Sequence, residues 1–451
     1  MPATPEILVK YDTRVPRYTS YPTAPHFTPA VGTDVYRTWL GEIGDSAALS
    51  LYLHVPFCSK LCWYCGCHTT IVHGYEPVLA YRDLLLREID LAADAMRARP
   101  RVVHIHWGGG TPTILKGPDF VAVIERIRRR FEGAAEAETA VETDPRCLSP
   151  EMIEAMGQAG VTRASLGVQD FRREVQVAVN RIQSFEQTAH AVAQLRAAGV
   201  HDINIDLIYG LPHQTAETVI ETVDLTVSLR PERLALFGYA HVPWMKRHQR
   251  LLDESTLPDT AERWAMYEAA RGRLAHHGYV PVGLDHFAAP GTGLARAVAA
   301  GALHRNFQGY TADSADTLIG FGASAIGTLP QGYVQNAVPI SAYREAITEG
   351  RLAVVRGIAI GPDDRLRRAV IERIMCDLEV DVGAVCRECG FDAGALDSEI
   401  ASLADFVADG LVAIDGRTVR IKEEGRPLVR SVAAAFDAYL GQGEARHSKA
   451  V

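Results

Sequence analysis

Disulfide chemistry has little to work with in this chain: 8 cysteines among 451 residues are too few to staple a scaffold of this length. Long hydrophobic runs are missing as well, so no membrane-spanning segment is expected. Residues 1–17 carry charges and three prolines without the apolar stretch of a signal peptide, which argues for a cytoplasmic location. No Gly-Lys-Ser/Thr closes a glycine loop, the glycine spacing does not fit a dinucleotide fingerprint, and no Gly-x-Ser-x-Gly elbow accompanies His106-Trp-Gly-Gly-Gly. Basic residues are also in deficit, with 46 Lys and Arg against 55 Asp and Glu and a net charge of -9. Broad nucleic-acid binding is therefore not expected. A small anionic substrate remains compatible with that charge, because a cleft can be locally basic.

What is present is the composition of an ordinary globular protein, 47% hydrophobic and 22% charged. The length exceeds what one core usually serves, so an N-terminal arm and two domains are expected. The most specific segment is Cys58-Ser-Lys-Leu-Cys62-Trp-Tyr-Cys65-Gly-Cys67, directly after the apolar run Ser50-Leu-Tyr-Leu-His-Val55. Three thiolates can hold three irons of a cubane cluster, and a fourth iron without a cysteine is open for chemistry. A structural zinc site would need a matching second pair, and His68 is too close to Cys67 to supply a good corner. Cys67 as a fourth ligand would instead give a simple electron carrier; it is expected to be a free thiol near the cluster. Cys147 and Cys376 read as buried thiols, and the pair Cys386/Cys389 as structural.

From about residue 50 to 285, short β-branched runs alternate with amphipathic stretches. Strands are predicted near 51–55, 102–107, 138–143, 163–168, 203–209 and 233–239. Helices are predicted near 77–98, 118–131, 150–158, 187–198, 217–229 and 260–277. Six successive βα units with right-handed crossovers predict an α/β fold, a partial (βα)6 TIM-like barrel, with an open doubly wound sheet as the competing topology. The expected division is an arm at 1–40 closing on the active site, a catalytic barrel at 41–290 and a mainly helical C-terminal domain at 291–451. That last part should contain a small hairpin with an Asp415-Gly416 turn. Helix, hairpin and helix in that order suggest a winged helix, but no basic recognition stripe accompanies them.

In such barrels function collects after the carboxyl ends of strands. The cysteine loop follows strand one and Gly108-Gly-Gly-Thr-Pro112 follows strand two. Glu142, Gln169-Asp170, Asp206 with Tyr209-Gly210, and Tyr239-Ala240-His241 end the next four. All are expected on one rim. The glycines would let backbone approach a ligand, and Glu142 could accept from ribose hydroxyls. Gln169, Arg181 and Asp206 could fix an adenosine or amino-acid group, or merely join a salt-bridge network.

The order Cys-x-x-x-Cys-x-x-Cys, Gly-Gly-Gly-Thr-Pro, strand-end Glu, then Ser165-Leu-Gly-Val-Gln169-Asp resembles the radical S-adenosylmethionine superfamily. The match narrows to the oxygen-independent coproporphyrinogen III oxidase (HemN) family through Val15-Pro-Arg-Tyr-Thr-Ser-Tyr-Pro-Thr-Ala24, Asn204-Ile-Asp-Leu-Ile-Tyr-Gly-Leu-Pro212 and His304-Arg-Asn-Phe-Gln-Gly-Tyr310. The resemblance implies a 4Fe-4S cluster on Cys58, Cys62 and Cys65. It implies two S-adenosylmethionine sites drawing on Tyr52, Tyr64, Gly109, Gly110, Thr111, Glu142, Gln169, Arg181, Asp206, Ala240 and Ile326, with Gln308 a further contact. Tyr52 would also serve catalysis. Tyr64 stands where the family has Phe, so a backbone contact should survive there.

The implied reaction decarboxylates two propionates of coproporphyrinogen III to vinyl groups, in haem biosynthesis. It requires a low-potential electron donor and an electron acceptor, neither identified by the sequence, in a chain expected to be monomeric. Arg17, His54, Lys60, Arg181 and Arg305 are candidate partners for the four carboxylates. A haem chaperone of the same superfamily is one alternative, expected to lack the Pro16-Arg-Tyr-Thr-Ser-Tyr-Pro22 arm and the Gly66-Cys67 extension. A HemN-like methyl or methylene transferase is another.

Overall fold

The six expected units are present in a computed structural model, which describes residues 13–441 together with Ile7, Lys10 and Tyr11. The remaining positions of the expected arm, and 442–451 of the expected C-terminal domain, lie outside the described residues. The strands are β1 (Ala48–Val55), β2 (Arg101–Gly109), β3 (Glu138–Thr143), β4 (Arg163–Gln169), β5 (Asp202–Tyr209) and β6 (Arg233–Gly238). The helices that follow them are α1 (Glu76–Ala95), α2 (Gly117–Arg130), α3 (Pro150–Gln158), α4 (Phe185–Ala197), α5 (Ala216–Ser228) and α6 (Thr260–His276). All six strands pair in parallel, each with the next.

Helix starts follow local chemistry. Ser149 and Ser184 accept from backbone amides of the first turn, Thr215 forms a capping box with Thr218, and Asp259 forms one with Glu262. Along β1, Leu49, Leu51 and Leu53 are fully buried, while Ser50, Tyr52 and His54 alternate with them on the other face. The same alternation puts Ile105 and Trp107 against His104 and His106, and Ile203, Ile205 and Leu207 against Asp202, Asn204 and Asp206. One face is thus apolar and the other polar. Each fully buried leucine contributes about 1.5–3 kcal/mol of burial to the apolar side. Consecutive helices pack on one another, α1 on α2, α2 on α3, α3 on α4 and α5 on α6, as in a single outer ring. A doubly wound sheet would divide them between two faces, so the curled barrel is the topology found.

The sheet does not stop at the boundary expected near residue 290. Two short strands, β7 (Val280–Val282) and β8 (His286–Ala288), extend it antiparallel beyond β6. At the other edge β9 (Thr317–Phe321) pairs in parallel with β1, followed antiparallel by β10 (Ile326–Leu329), β11 (Gly332–Asn336) and β12 (Val354–Ala359). The full order is β12-β11-β10-β9-β1-β2-β3-β4-β5-β6-β8-β7. The reason is pairing: β9 satisfies the free edge of β1, which would otherwise expose a row of backbone groups.

Past Ala359 a second core forms around Leu366, Val370, Ile374, Val382 and Phe436, and the expected hairpin, Val412–Asp415 with Thr418–Ile421, lies there. Tyr18 and Tyr21 of the arm are buried in that core. Their hydroxyls bond Asp437 and the amide of Ala438 at 3.0 Å each. A buried carboxylate, Glu88 of α1, joins the two halves of the sheet. It accepts from Gly322 N at 2.6 Å and from Asn336 Nδ2 and Tyr343 Oη at 2.7 Å. Burial nevertheless pushes its pKa up to about 7.

Candidate active site

The loop after β1 carries the cysteines and is held from three sides. Trp63 N donates to Val179 O at 3.0 Å and Asn180 Nδ2 to Leu61 O at 2.8 Å. Lys246 Nζ reaches Cys67 O at 2.9 Å, His248 Nε2 reaches Cys65 O at 2.7 Å, and Gln249 Nε2 reaches Tyr64 O at 2.9 Å and Ala240 O at 3.3 Å. Beneath, Thr111 N donates to Phe57 O and Gly110 N to Val55 O, both at 2.8 Å. A Cβ at residue 110 would lie 2.5 Å from Phe57 O. One at residue 109, where φ is +110°, would lie 2.7 Å from the His54 ring. Those two glycines are therefore required for the loop to close on the strand ends.

The sulfurs are met by donors. Thr111 Oγ1 is 3.5 Å from Cys58 Sγ, Arg146 and Arg181 guanidinium nitrogens are 3.4 and 3.6 Å from Cys62 Sγ, and Cys67 N is 3.4 Å from Cys65 Sγ. Hydrogen bonding from Cys67 holds the Cys65 thiol down to about 6, whereas burial pushes Cys58 up to about 11. Asp144 fixes both arginines, 2.6 Å from Arg146 and 3.3 Å from Arg181. Among the described residues, no three His, Cys, Asp or Glu side chains converge as they would on a single ion. In a cubane the cysteines bind separate irons, and each of the three sulfurs here has a donor within reach.

Beside the loop the polar face of the barrel forms a cup. Tyr52 Oη lies 3.0 Å from His54 Nδ1, whose Nε2 lies 3.2 Å from His68 O. The carbonyl can only accept, so His54 carries its proton on Nε2 and accepts from Tyr52. Burial keeps its pKa low. Glu142 receives Gly109 N at 3.2 Å and His106 Nε2 at 3.3 Å. Asp206, bonded to Asn204 at 2.7 Å and Ser165 at 3.2 Å, is raised to about 6 by burial and by Glu142 across the cup. Gln169 ends β4 at φ +72°, a left-handed conformation that costs a non-glycine residue about 1–3 kcal/mol. Gln169 and Arg181 flank Gly167 so closely that a Cβ there would lie 2.9 and 3.1 Å from them.

Tyr52, Gly109, Gly110, Thr111, Glu142, Gln169, Arg181 and Asp206 are thus contiguous with the three cysteines. Ala240 joins through Gln249. Ile326 starts β10, and its carbonyl lies against Gly320, which pairs with Tyr52. Gln308 sits in the turn between His304–Asn306 and Gly309–Thr311. Among the described residues its Nε2 is buried without a hydrogen-bond partner, as is Arg181 Nε. Orphaned donors of this kind mark where a ligand group would bind.

A cavity of about 420 Å³ opens beyond the strand ends of β5 and β6. Its walls include Tyr209, Phe237, Tyr239, Trp264 and Tyr267, and five arginines face it: Arg14, Arg17, Arg263, Arg305 and Arg430. Among the described residues, the carboxylates on its wall are Asp259, which caps α6, and Asp285. Burial would raise Asp285, but His286, Arg305 and Arg17 hold it down to about 2. Arg17 is accessible, but to this cavity. Enclosure and the neighbouring Arg305 lower its pKa, against the pull of Asp285. Of the carboxylate partners expected from sequence, Arg17 and Arg305 line the cavity, His54 and Arg181 lie at the cup and cluster loop, and Lys60 is on the outer surface. Sequence reading missed Arg14, Arg263 and Arg430, which no motif contains.

Comparison with known proteins agrees with this geometry. Residues 52–226 match the radical SAM superfamily and residues 360–428 the HemN C-terminal domain. The oxygen-independent coproporphyrinogen III oxidase of Bradyrhizobium diazoefficiens is 50% identical over 447 residues, covering 99% of each chain. That of Escherichia coli is 37% identical, covering 97% of this chain and 95% of the relative. The solved structure of Escherichia coli HemN, described as a radical SAM enzyme, superposes with a TM-score of 0.90 at 35% identity, covering 95% of this chain and 100% of that one. The chain is a radical SAM protein, and within that superfamily it belongs to the oxygen-independent coproporphyrinogen III oxidase family. No helix among the described residues is long and apolar enough to cross a membrane.

Proposed function

We propose that this chain converts coproporphyrinogen III to protoporphyrinogen IX by oxidative decarboxylation of two propionates, without oxygen, in the cytoplasm and as a monomer. The observation that carries the reading is the arginine cavity: five guanidinium groups around an aromatic-walled space adjoining the cluster loop. A tetracarboxylate with a large apolar ring supplies what that space lacks.

Cys58, Cys62 and Cys65 would hold the 4Fe-4S cluster. When bound, it supplies the electron that splits S-adenosylmethionine into methionine and a 5′-deoxyadenosyl radical. Arg181 and Arg146 aim guanidinium nitrogens at Cys62 Sγ. Glu142, fixed by Gly109 N and His106, presents a carboxylate to ribose hydroxyls, while Gln169 and Asp206 offer further polar contacts. Tyr52 and neutral His54 line the cup without adding charge. The arginines hold the propionates so that a β-carbon faces the cup. The reaction would take a hydrogen atom from that β-carbon, and loss of carbon dioxide and one electron would leave a vinyl group. The electron passes to an acceptor. Two propionates need two rounds, consistent with two S-adenosylmethionine molecules per site, with Gln308 and Ile326 as further contacts.

Anaerobic turnover with coproporphyrinogen III, S-adenosylmethionine and dithionite tests the reading, with porphyrins and 5′-deoxyadenosine separated by chromatography. Protoporphyrin formation lost in Cys62→Ala is expected. Deoxyadenosine without vinyl product, or an alkylated porphyrin, would move the substrate elsewhere.

A further inference from the structure

Each round of the reaction deletes one carboxylate from the ligand as carbon dioxide. The cavity must therefore bind a tetracarboxylate, keep a monovinyl tricarboxylate for the second round, and release a divinyl dicarboxylate. Arginines alone would hold all three. Of the carboxylates on the cavity wall among the described residues, Asp259 is engaged in capping α6, and Asp285 has no part in the reaction as described above.

Asp285 sits in the turn between β7 and β8, and that turn is fixed from several sides. Its carbonyl accepts from Leu236 N at 2.7 Å. Leu284 N donates to Tyr310 Oη at 3.0 Å, and that hydroxyl donates to Met375 O at 2.8 Å. Gly283 O accepts from Arg426 Nη1 at 2.8 Å. Gly283 has φ +55°, and a Cβ there would lie 2.0 Å from the Tyr310 ring, so only glycine lets the turn close on that ring.

This frame, and not an arginine, holds the carboxylate. Its Oδ1 meets His286 Nδ1 at 2.7 Å, whereas Arg305 Nη1 stands 4.0 Å away. Ion pairs inside the barrel close to 2.8 Å at Arg163–Glu138 and 2.7 Å at Arg233–Asp202. Arg305 stacks instead on the Tyr310 ring, 4.4 Å from its centre. Arg17 and Arg430 feel the same carboxylate: burial lowers the pKa of both, Arg430 to about 10, against the pull of Asp285. Enclosure opposes ionisation of Asp285 itself, yet it is held down to about 2, so its charge is constant at working pH. Three arginines thus share the field of one fixed anion that stands back from Arg305. Such an anion weakens their attraction for ligand carboxylates without covering the Arg305 nitrogens.

The structure assigns Asp285 as the residue that sets how many carboxylates a ligand needs to stay in the cavity. It determines specificity through the arginines and touches no reacting atom. Four carboxylates outweigh its repulsion, and so do three; the two of the divinyl product do not. Each carboxylate lost gives up a charge-assisted contact worth at least about tenfold in affinity, so two rounds lower affinity about a hundredfold. The inference rests on the proposed function for the identity of the ligands.

The test measures binding without turnover, on the cluster-loaded protein kept anaerobic and free of S-adenosylmethionine. Trp244 and Trp264 on the cavity wall serve as fluorescence reporters, and the probes are coproporphyrinogen III and protoporphyrinogen IX. The parent should bind the first about a hundredfold more tightly than the second. Equal affinities would overturn the proposal, and this comparison needs no variant to fold. Asp285→Asn should bind protoporphyrinogen IX about tenfold more tightly than the parent does, and its turnover should slow as product accumulates. Weaker binding of both ligands would overturn the proposal, because Asp285 would then be a prop for Arg305 and His286. Unchanged binding would overturn it too. Asp285→Glu keeps the charge and should bind as the parent does; tightening as large as in Asp285→Asn would remove charge as the cause. Arg17→Gln/Asp285→Asn restores the net charge of the cavity and should return product affinity towards that of the parent, which a merely structural role would not do. Graded binding with no vinyl product on turnover would sink the proposed reaction and leave this inference standing. Vinyl product with ungraded binding would do the reverse.

Discussion

Arginine is abundant both at the bottom of the barrel interior and in the cavity at its rim, yet the two places are opposite in charge balance. At the bottom, Arg163 meets Glu138 at 2.8 Å, Arg233 meets Asp202 at 2.7 Å, and His104 lies 3.6 and 3.7 Å from Glu138 and Asp313. Both arginines there have a carboxylate. At the rim, five arginines line a cavity whose carboxylates among the described residues are Asp285 and the helix-capping Asp259, and Arg263 has the Tyr209 ring, at 5.7 Å, as its neighbour. A paired buried arginine is structure, whereas an underpaired one facing a cavity is a binding group waiting for its anion.

The largest effect should come from breaking a pair at the bottom. Asp202→Ala leaves Arg233 buried beside Arg163 and should cost about 3 kcal/mol of stability, read as a lower urea midpoint. Arg263→Ala should do the reverse, leaving stability within about 0.5 kcal/mol and raising KM for coproporphyrinogen III roughly 10–100-fold, the worth of a charged hydrogen bond. If both variants lost stability alike, the comparison would collapse.

Glu88 offers a third case, a buried carboxylate with no cation. Its folded pKa near 7 lies above its ordinary value of 4.5, so the native state holds the proton more tightly than the unfolded chain. Its contribution to stability is therefore full below about pH 4.5 and lost as pH rises towards about 7, by an amount on the order of 1–3 kcal/mol. Glu88→Gln should flatten that slope, measured as the difference in melting temperature between pH 5 and 8. The smallest effect is expected at Lys60, exposed and outside the cavity. Lys60→Ala should leave KM within about twofold when dithionite is the reductant; a larger rise would restore the propionate contact expected from sequence.

Much of this was legible in the sequence because it is local. Strand starts at Glu138, Arg163 and Arg233 and helix starts at Pro150 and Thr260 follow from alternation and caps within a few residues. The rim motifs also announced themselves, since a barrel delivers the carboxyl ends of its strands to one place. What could not be read is long-range partnership. Nothing within 317–321 says that this strand covers the edge of β1, so the second half of the sheet was expected to be helical. Arg263 is hidden for a related reason. It follows the Asp259/Glu262 capping box on α6 and reads as one more solvated helix residue, until the fold turns it towards Gly210 and Tyr209.

Gln249 holds Tyr64 O and Ala240 O with its amide nitrogen and Val242 N, at 2.6 Å, with its amide oxygen. The cysteine loop and the floor of the arginine cavity are thereby spliced into one mechanical unit. Oxidative loss of the cluster would then also deform the place where substrate sits, so an inactivated molecule would release its porphyrinogen instead of sequestering it.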